Sequence, residues 1–316
     1  MTLEACLPAE LRDAAPSIKP LAGGFSRAGV YRVEAAGGAF VLKIASESEP
    51  LADWKRALGI RQLAAGAGLA PRVVHADESR RAVLSAFIDD RSFPALYGNP
   101  STRERAIEML GRLIRRTHEL PVPENAPVSD SRAFLASVWS DVASSVAGIP
   151  DFVAPIVERV LGETPPAADR APVLSHNDVN PTNLIFDGEH LLLLDWETAG
   201  PNDPWYDLAA ISVFVGMDEP ALLRLIEAYD GATPPRVPEC LAYFRRVVAA
   251  LAGSMFLRMA HRAGFAGADG TETLESTSSL HDYYQGMMAG AVSPSTPEGK
   301  WQFGLTLVKT CAQLSE

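Results

Sequence analysis

Alternating apolar and polar positions near the start of the chain predict a small β-sheet. A strand enters near Leu21, residues 30–33 alternate, and residues 39–44 form an almost wholly apolar run. Residues 73–76 and 81–88 add two further strand patterns on either side of a polar turn. We therefore predict five strands joined by short turns, the arrangement of an antiparallel sheet.

After residue 100 the apolar positions recur at helical spacing. Ser101 is a predicted N-cap, with Glu104 at the third helical position and apolar residues continuing to Ile114. The same period predicts helices over 134–146, 152–161, 207–214, 219–229, 237–263, 276–289 and 299–313. The second part of the chain is therefore predicted to be mainly helical.

A short β-ribbon interrupts the helical part. Two apolar runs, residues 184–186 and 191–194, flank the dipeptide Asp187-Gly188. Asp-Gly between two such runs is a strong hairpin-turn signal. The pattern predicts an antiparallel pair of strands.

The register of this ribbon brings polar residues together. If the loop ends at His190, Asn183 lies opposite Leu194, and Asn183 and Asp195 leave the same end of the ribbon. Cross-strand neighbours lie about 5 Å apart, close enough to share a metal ion. Asp178 lies in the loop that leads into the ribbon.

Asp178, Asn183 and Asp195 have the spacing of a phosphoryl-transfer site. Asp178 can orient an attacking hydroxyl and accept its proton, while Asn183 and Asp195 can hold Mg²⁺ against the phosphates of a nucleotide. Oxygen ligands of this kind suit Mg²⁺, which keeps several waters. Asp and Asn are also common in turns, so a purely structural explanation stays open.

The sequence around these residues resembles the family of aminoglycoside phosphotransferases and choline or ethanolamine kinases. The resemblance covers His-Asn-Asp at 176–178, Asn183, and the segment LDWETAGPNDPWYDLA at 194–209. The His-Asn-Asp and Asp-Trp-Glu forms favour the choline-kinase-like branch. The resemblance implies a bilobal, protein-kinase-like α+β fold, with a small five-stranded antiparallel-sheet N-lobe (1–90) and a larger, mainly helical C-lobe (91–316).

The first strands carry the predicted nucleotide site. A glycine-rich turn can lie over phosphates because its amides approach without side-chain hindrance. Lys43 lies in an apolar strand, where an ammonium needs a counter-charge, and the resemblance assigns it the nucleotide's phosphates; a lysine reaching solvent at a sheet edge is the alternative. By resemblance, residues 85–88 form the hinge that binds adenine. The candidate cofactor-binding residues besides Lys43 are Gly23, Gly24, Phe25, Ser26, Ser85 and Phe87.

The resemblance also implies two supporting residues. His176 would anchor the catalytic loop through its ring, and Asp207 would hold that loop by hydrogen bonds from behind. Asp207 opens a predicted helix, so a capping role is equally open.

One expected residue is missing. Protein kinases pair the strand lysine with a Glu on the next helix, but residues 54–58 offer no acid. Asp53 is the nearest substitute, with Glu47 and Glu49 further back, so the partner of Lys43 stays open.

The amino-acid composition indicates which classes of binding partner the protein favours. Of 316 residues, 28 are Lys or Arg and 39 are Asp or Glu, a net charge of −11. An acidic surface favours cationic partners over nucleic acid or anionic membranes, but a net charge of this size is more often a solubility device. The distribution adds to the first interpretation, since residues 195–240 hold nine acids against two basic residues. The three cysteines have no metal-binding spacing, the N-terminus lacks signal-peptide features, and we expect a cytoplasmic protein without a membrane span.

These observations favour an ATP- or GTP-dependent, Mg²⁺-dependent kinase that phosphorylates a hydroxyl of a small, cationic molecule. A choline- or ethanolamine-like amino alcohol comes first and an aminoglycoside second; homoserine, thiamine, methylthioribose and other sugars are further possibilities. The alternative is a non-catalytic, nucleotide-binding protein of the same fold, and a third option is a scaffold that binds no nucleotide. Aromatic residues after position 228 are candidates for a cation–π pocket.

Overall fold

The computed structural model describes residues 2–21, 29–35, 37–124, 126–265 and 269–315. The strands are β1 (Ser17–Pro20), β2 (Gly29–Ala35), β3 (Gly38–Ile44), β4 (Val73–Asp77), β5 (Ala82–Ala86), β6 (Val173–Ser175), β7 (Leu184–Phe186), β8 (Leu191–Leu193) and β9 (Gly200–Asn202). The helices are α1 (Ala9–Arg12), α2 (Leu51–Gly66), α3 (Phe93–Gly98), α4 (Arg103–His118), α5 (Ser131–Ser145), α6 (Val153–Gly162), α7 (Trp205–Phe214), α8 (Glu219–Asp230), α9 (Glu239–Arg262), α10 (Leu280–Met288) and α11 (Pro297–Gln313).

The chain forms two compact units, each built from separate stretches of sequence. Unit 1 consists of Met1–Glu124, Val173–Gly200 and Glu227–Gly231. Unit 2 consists of Asn125–Pro172, Pro201–Ile226 and Ala232–Glu316. Every predicted nucleotide, metal and catalytic residue belongs to unit 1 by sequence position. The predicted lobe boundary at residue 90 stays a prediction.

A five-stranded antiparallel sheet forms the first part of unit 1, as predicted. Its strand order is β1-β2-β3-β5-β4, and every neighbouring pair is antiparallel. The first strand, Ser17–Pro20, ends just before Leu21, so it begins earlier in the chain than the sequence pattern suggested.

The two faces of this sheet differ because successive side chains of a strand point to opposite sides. One face carries Val33, Leu42 and Leu84, each fully buried, and packs with Cys6 and Leu7 from the N-terminal segment. These side chains form an apolar core that fixes the strands. The register of β3 and β5 then sets which residues occupy the other face.

The opposite face carries the predicted nucleotide residues. Lys43 pairs with Val83, and Val41 pairs with Ser85. Directly paired residues share a face, and Val30, which pairs with Lys43 across β2, joins them. Lys43 therefore lies on a largely apolar face, away from the core.

The helix after the hinge begins slightly later than predicted. Thr102, and not Ser101, is the N-cap residue of α4, and its side chain makes no capping hydrogen bond. The Ser101 hydroxyl donates to the Asn99 side chain instead, at 2.9 Å. The apolar face of α4 packs against β6 and β8. The short helix α3, whose N-cap residue Ser92 has φ of 67°, was not predicted.

Unit 2 is helical, and α9 is its central element. This 24-residue helix packs against α5, α7 and α11. Helix α9 is long and apolar enough to cross a membrane, judged by length and composition alone, and the expected absence of a membrane span stays a prediction. A core helix can have the same length and composition, and 61% of the most apolar window of α9 is buried inside the protein.

Candidate active site

The β7–β8 ribbon has the predicted register. Leu184 pairs with Leu193, and the Leu194 N–H donates to the Asn183 carbonyl at 2.9 Å. Asn183 therefore lies opposite Leu194, and Asn183 and Asp195 leave the same end of the ribbon, as the hairpin argument requires. The residue after Asn183 starts one strand, and Asp195 follows the other by two positions.

Two amide side chains hold the carboxylate of Asp178. Asn183 Nδ2 donates to Asp178 Oδ2 at 2.7 Å and to the Asp178 carbonyl at 2.9 Å. Asn180 Nδ2 donates to Asp178 Oδ1 at 2.9 Å. Sequence reasoning missed Asn180, although the Asn-Pro dipeptide at 180–181 marks the start of the helical turn that it caps.

The protonation of Asp178 reflects opposing influences. Desolvation raises its pKa above the ordinary value, and the charge of Asp195 acts in the same direction. The charge of His176 and the two amide donors oppose this shift without cancelling it. The side chain keeps access to solvent. A raised pKa suits a carboxylate that must accept a proton.

Hydrogen bonds join the loop before Asp178 to the segment after the ribbon. The His176 ring contacts the Leu194 carbonyl through Nε2 at 2.7 Å and lies edge-on to Trp196. Asn177, at φ of 63°, donates from Nδ2 to the Thr198 carbonyl at 2.9 Å. The Thr198 hydroxyl donates back to the His176 carbonyl at 3.1 Å. His176 is thus placed where an anchoring residue is expected, and Asn177 and Thr198 join it.

Lys43 lies between two carboxylates. Its Nζ is 2.7 Å from Asp195 Oδ1 and 2.6 Å from Glu197 Oε1. The lysine side chain is 10% exposed, whereas those of Asp195 and Glu197 are 39% and 41% exposed. Burial alone would lower the pKa of Lys43, but the charges and hydrogen bonds of Glu197 and Asp195 outweigh it and raise the pKa. Lys43 is therefore a charged, paired ammonium and does not reach solvent at a sheet edge.

None of the predicted substitutes makes this contact. Asp53 pairs with Arg56 at 3.6 Å. Glu47 is exposed, and half-buried Glu49 is near enough to Lys43 to feel its charge. Within the described ranges, Asp195 and Glu197 are the acids within 4.0 Å of Lys43 Nζ.

Helix α2 faces this site with basic side chains. Arg56 Nη1 donates to the Ala199 carbonyl at 3.0 Å. Burial lowers the pKa of Arg61, and the nearby charges of Glu197 and Asp195 oppose that shift. The helix that carries an acid in protein kinases therefore carries guanidinium groups here.

The predicted hinge residues differ in what they offer. Ser85 is fully buried, and its hydroxyl finds no hydrogen-bond partner among the described residues. The Phe87 N–H already donates to the Ala39 carbonyl at 3.0 Å, and the Arg32 guanidinium covers its ring at 4.2 Å. Ser85 thus has a hydroxyl without a hydrogen-bond partner among the described residues, on the face of the sheet that carries Lys43. The Phe87 N–H already has an acceptor.

The segment after the hinge is tied to the ribbon. Asp90 Oδ1 accepts the N–H groups of Phe186 at 3.0 Å and Ser92 at 2.9 Å. The Arg91 N–H donates to the Phe186 carbonyl at 2.7 Å. These bonds connect the segment after the sheet to β7, the strand that begins directly after Asn183.

Two parts of the predicted site are not seen together with the residues above: the glycine-rich turn and Asp207. The turn residues Gly23 to Ser26 lie outside the described residues. Asp207 is fully buried in the first turn of α7, in unit 2. The N-cap residue of α7 is Pro204, and Asp207 lies three positions further on. Its roles in capping and behind the catalytic loop stay predictions.

The donor set fits Mg²⁺. Asn183 uses both N–H groups on Asp178, which leaves its Oδ1 for a cation. Asp195 supplies a partly exposed carboxylate. Among the described residues no three His, Cys, Asp or Glu side chains cluster for a full protein cage. Mg²⁺ does not need one, because one or two protein oxygens plus waters and phosphates satisfy it.

The chain combines a five-stranded sheet that has a buried lysine in one strand, an Asp in a loop, and a hairpin that presents Asn and Asp together. This combination defines the class of protein-kinase-like phosphotransferase folds. The chain belongs to the phosphotransferase enzyme family, whose model matches residues 17–241.

Two curated relatives share parts of this sequence. Protein LicA of Haemophilus influenzae is 36% identical over 58 residues, 18% of this chain and 22% of that protein. An aminoglycoside 3'-phosphotransferase of Escherichia coli is 31% identical over 152 residues, 45% of this chain and 56% of that protein. The matched regions thus span between about a fifth and just over half of these relatives.

A solved structure shares the fold over nearly the whole chain. A choline/ethanolamine kinase family protein from Mesorhizobium loti superposes with a TM-score of 0.60 and 19% identity, covering 94% of this chain and 93% of that one. The predicted protein-kinase-like fold is thereby confirmed.

Proposed function

We propose that this protein is an ATP-dependent kinase that phosphorylates a hydroxyl group of a small molecule. The observation that carries the proposal is the assembly of two hydrogen-bonded pairs in one compact unit: Lys43 with Asp195 and Asn183 with Asp178, each at 2.7 Å. The ribbon joins the pairs, because Asn183 precedes one of its strands and Asp195 follows the other. A structural explanation by turn preference accounts for each Asp or Asn singly. It does not account for the contact between the buried ammonium of Lys43 and the carboxylate of Asp195, which follows the ribbon.

Each side chain has a task in the transfer. The substrate oxygen forms a bond to the γ-phosphorus while the bond to the β–γ bridging oxygen breaks, and ADP leaves. Asp178 orients the hydroxyl and takes its proton. Asn180 and Asn183 hold both Asp178 oxygens in place, so the base is oriented before the substrate arrives.

The nucleotide would be held by the sheet face and by the ribbon. Val30, Val41 and Val83 offer an apolar bed for the base, and Ser85 a buried hydroxyl beside it. Lys43 contacts the phosphates. Asn183 Oδ1 and Asp195 would hold Mg²⁺, and the bound ion would supply positive charge against the phosphate oxygens.

For the acceptor we propose a cationic amino alcohol of the choline or ethanolamine kind, with an aminoglycoside as the second candidate. The net charge of −11 and the acidic segment after Asp195 support a cation. The Asp-Trp-Glu form and the choline/ethanolamine kinase family neighbour support the amino alcohol, whereas the aminoglycoside phosphotransferase supports the second candidate.

Three aromatic residues of unit 2 that were candidates for a cation–π pocket have the contacts of core residues. Tyr283 and Phe303 stack at 4.7 Å, and the Tyr283 hydroxyl donates to the Gly299 carbonyl at 2.9 Å. The Tyr284 hydroxyl donates to the Phe214 carbonyl. These rings pack against one another and use their hydroxyls internally, as core residues do.

The first test is thermal unfolding with ATP or GTP, with and without Mg²⁺. A ligand that binds only the folded protein raises its melting temperature, so we expect a Mg²⁺-dependent rise. Phosphate transfer to choline, ethanolamine and kanamycin then identifies the acceptor class. Absence of any rise with either nucleotide would refute the nucleotide site, and a rise without transfer to any hydroxyl compound would favour the non-catalytic alternative.

A further inference from the structure

A second cation lies on the sheet face that carries Lys43. Arg32 of β2 pairs with Val41, and Val41 pairs with Ser85. Directly paired residues share a face. Lys43 is two positions from Val41 on the same strand, so its side chain points to that face as well. The proposed function gives Arg32 no task.

The Arg32 side chain reaches across the sheet. Its guanidinium carbon Cζ lies 4.2 Å from the centre of the Phe87 ring. Strand β3 separates β2 from β5, the strand that precedes Phe87, and two strand spacings amount to about 9.6 Å. The two side chains must therefore meet above β3. Because the Phe87 N–H donates to the Ala39 carbonyl, they meet near the end of β3 that is away from Lys43.

Two buried polar atoms on this face have no hydrogen-bond partner among the described residues: Arg32 Nε and Ser85 Oγ. Glu34 Oε1 lies 3.0 Å from Arg32 Nε, but this ion pair does not have hydrogen-bond geometry. Glu34 is exposed, and surface ion pairs of this kind contribute little stability. Pairing with Glu34 alone therefore explains neither the buried donor nor the contact with Phe87.

The position of Arg32 limits what it can recognise in a nucleotide. The apolar side chains of Val30, Val41 and Val83 share the face with it, and Lys43 lies near the other end of β3, where the phosphates are proposed to bind. A purine base carries no negative charge. A cation can therefore act on it only through the π face of the ring or through ring acceptors. A guanidinium does both, because it is planar, stacks on aromatic rings and has five N–H donors.

We propose that Arg32 is a nucleobase-binding residue: its guanidinium, held over the Phe87 ring, contacts the base of the nucleotide at the end of the sheet face away from Lys43. This rests on the proposed function. The base lies on the valine side chains, and Arg32 adds a cation–π contact to that apolar bed. Phe87 fixes where the guanidinium stands.

Binding of ATP and of inorganic tripolyphosphate tests this role, because only ATP has a base. A cation–π contact corresponds to about 2- to 30-fold in affinity. By titration calorimetry at fixed Mg²⁺ we expect Arg32→Leu to weaken ATP binding within that range and to change tripolyphosphate binding less than about twofold. An equal loss for both ligands would show a general attraction of anions, and no loss for ATP would show no contact. Either result would overturn the proposal.

Arg32→Lys separates charge from shape. This substitution keeps the positive charge but replaces the planar guanidinium with a compact ammonium. We expect its affinity for ATP to lie closer to that of Arg32→Leu than to that of the parent. An affinity equal to the parent's would refute recognition by the guanidinium, whether or not tripolyphosphate binds measurably.

Kinetics distinguish a base contact from a structural role. A contact with the base is the same in the ground state and in the transition state, so its loss raises KM and leaves kcat unchanged. At saturating acceptor we expect Arg32→Leu to raise the KM for ATP and to keep kcat within about twofold of the parent. A fall in kcat with an unchanged KM would refute the proposal.

Arg103→Leu is the matched control. The Arg103 guanidinium also lies over an aromatic ring, that of Tyr97, at 5.0 Å, and both residues belong to unit 1. Their contact joins α3 and α4 and contains none of the predicted nucleotide residues. The substitution removes the same charge and the same kind of contact, so we expect ATP affinity to change less than about twofold.

The outcomes separate this role from the proposed function. A loss of ATP affinity in Arg103→Leu equal to that in Arg32→Leu would attribute the effect to net charge and overturn the proposal. A parent protein that binds neither ATP nor tripolyphosphate would refute the proposed function itself. A parent that binds ATP, with an Arg32→Leu variant that binds it equally well, would refute only the role of Arg32.

Discussion

Replacing Asp178 by Asn separates catalysis from binding most sharply. The carboxylate accepts hydrogen bonds from Asn183 at 2.7 Å and Asn180 at 2.9 Å. The substituted amide keeps one acceptor oxygen, so one of these bonds is lost, at a cost of about 1 kcal/mol in the free energy of unfolding. Both bonds are donated by amide nitrogens, and the Asn183 Oδ1 that would hold Mg²⁺ takes part in neither. The affinity for ATP with Mg²⁺ should therefore change less than about fivefold.

The effect on turnover should be much larger. General-base catalysis contributes about 10²- to 10⁴-fold, which corresponds to about 2.7–5.4 kcal/mol in the activation free energy. ADP release in a coupled assay measures kcat, and titration calorimetry measures nucleotide affinity. A kcat within tenfold of the parent would refute the role of Asp178 as the base.

Asp187→Asn is the control for this substitution. Asp187 lies in the ribbon turn, and its carboxylate also accepts two hydrogen bonds, from the N–H groups of Glu189 at 2.8 Å and His190 at 2.7 Å. It makes no contact with the predicted catalytic residues among those described. Both bonds go to the same oxygen, Oδ1, which the substituted amide retains. Asp187→Asn should therefore keep both its stability and its turnover, and it shows what an Asp-to-Asn change does in the ribbon away from the predicted base.

Three further predictions concern the metal ligand, the ribbon turn and pH. Asp195→Ala should abolish the Mg²⁺-dependent part of the thermal shift with ATP while the fold persists, since Lys43 keeps Glu197 at 2.6 Å; an unchanged Mg²⁺ dependence would exclude Asp195 as a ligand. Gly188→Ala should lower the free energy of unfolding by about 1–3 kcal/mol, because φ is 107° and the added Cβ would lie 2.8 Å from Arg91 Nη1. Gly59→Ala, in open space on α2, should not destabilise, and equal denaturation midpoints for both variants would contradict the strain argument. Finally, Asp178 must be deprotonated to accept a proton, and desolvation raises its pKa, so activity should fall with decreasing pH at an apparent pKa above that of an ordinary aspartate. An acid limb at or below the ordinary aspartate pKa would contradict the raised pKa.

Local patterns predicted much of the site. The ribbon register follows from a two-residue period and an Asp-Gly turn, both readable within a dozen positions. The same register places Asn183 opposite Leu194 and brings it to the end from which Asp195 emerges. The sheet was predictable for the same reason, since each strand pattern is short and bounded by turn residues.

The partner of Lys43 was not predictable from such patterns. Lys43 and Asp195 are 152 positions apart, and no local signal indicates that Glu197 turns toward the lysine. The sequence showed only that the helix lacks a suitable acid. Likewise, the burial of α9 depends on helices from three other stretches, so composition alone does not separate a core helix from a membrane span.

The discontinuous make-up of unit 1 has a consequence for how the protein is made. Lys43 is synthesised 152 residues ahead of Asp195. At about 5–20 residues per second, a ribosome needs roughly 8–30 s to cover that distance. During this interval the emerging sheet contains an ammonium group whose two counter-charges do not yet exist. The finished sheet therefore depends on the late arrival of the ribbon segment, and a chain released before that segment would leave Lys43 exposed to solvent or unpaired.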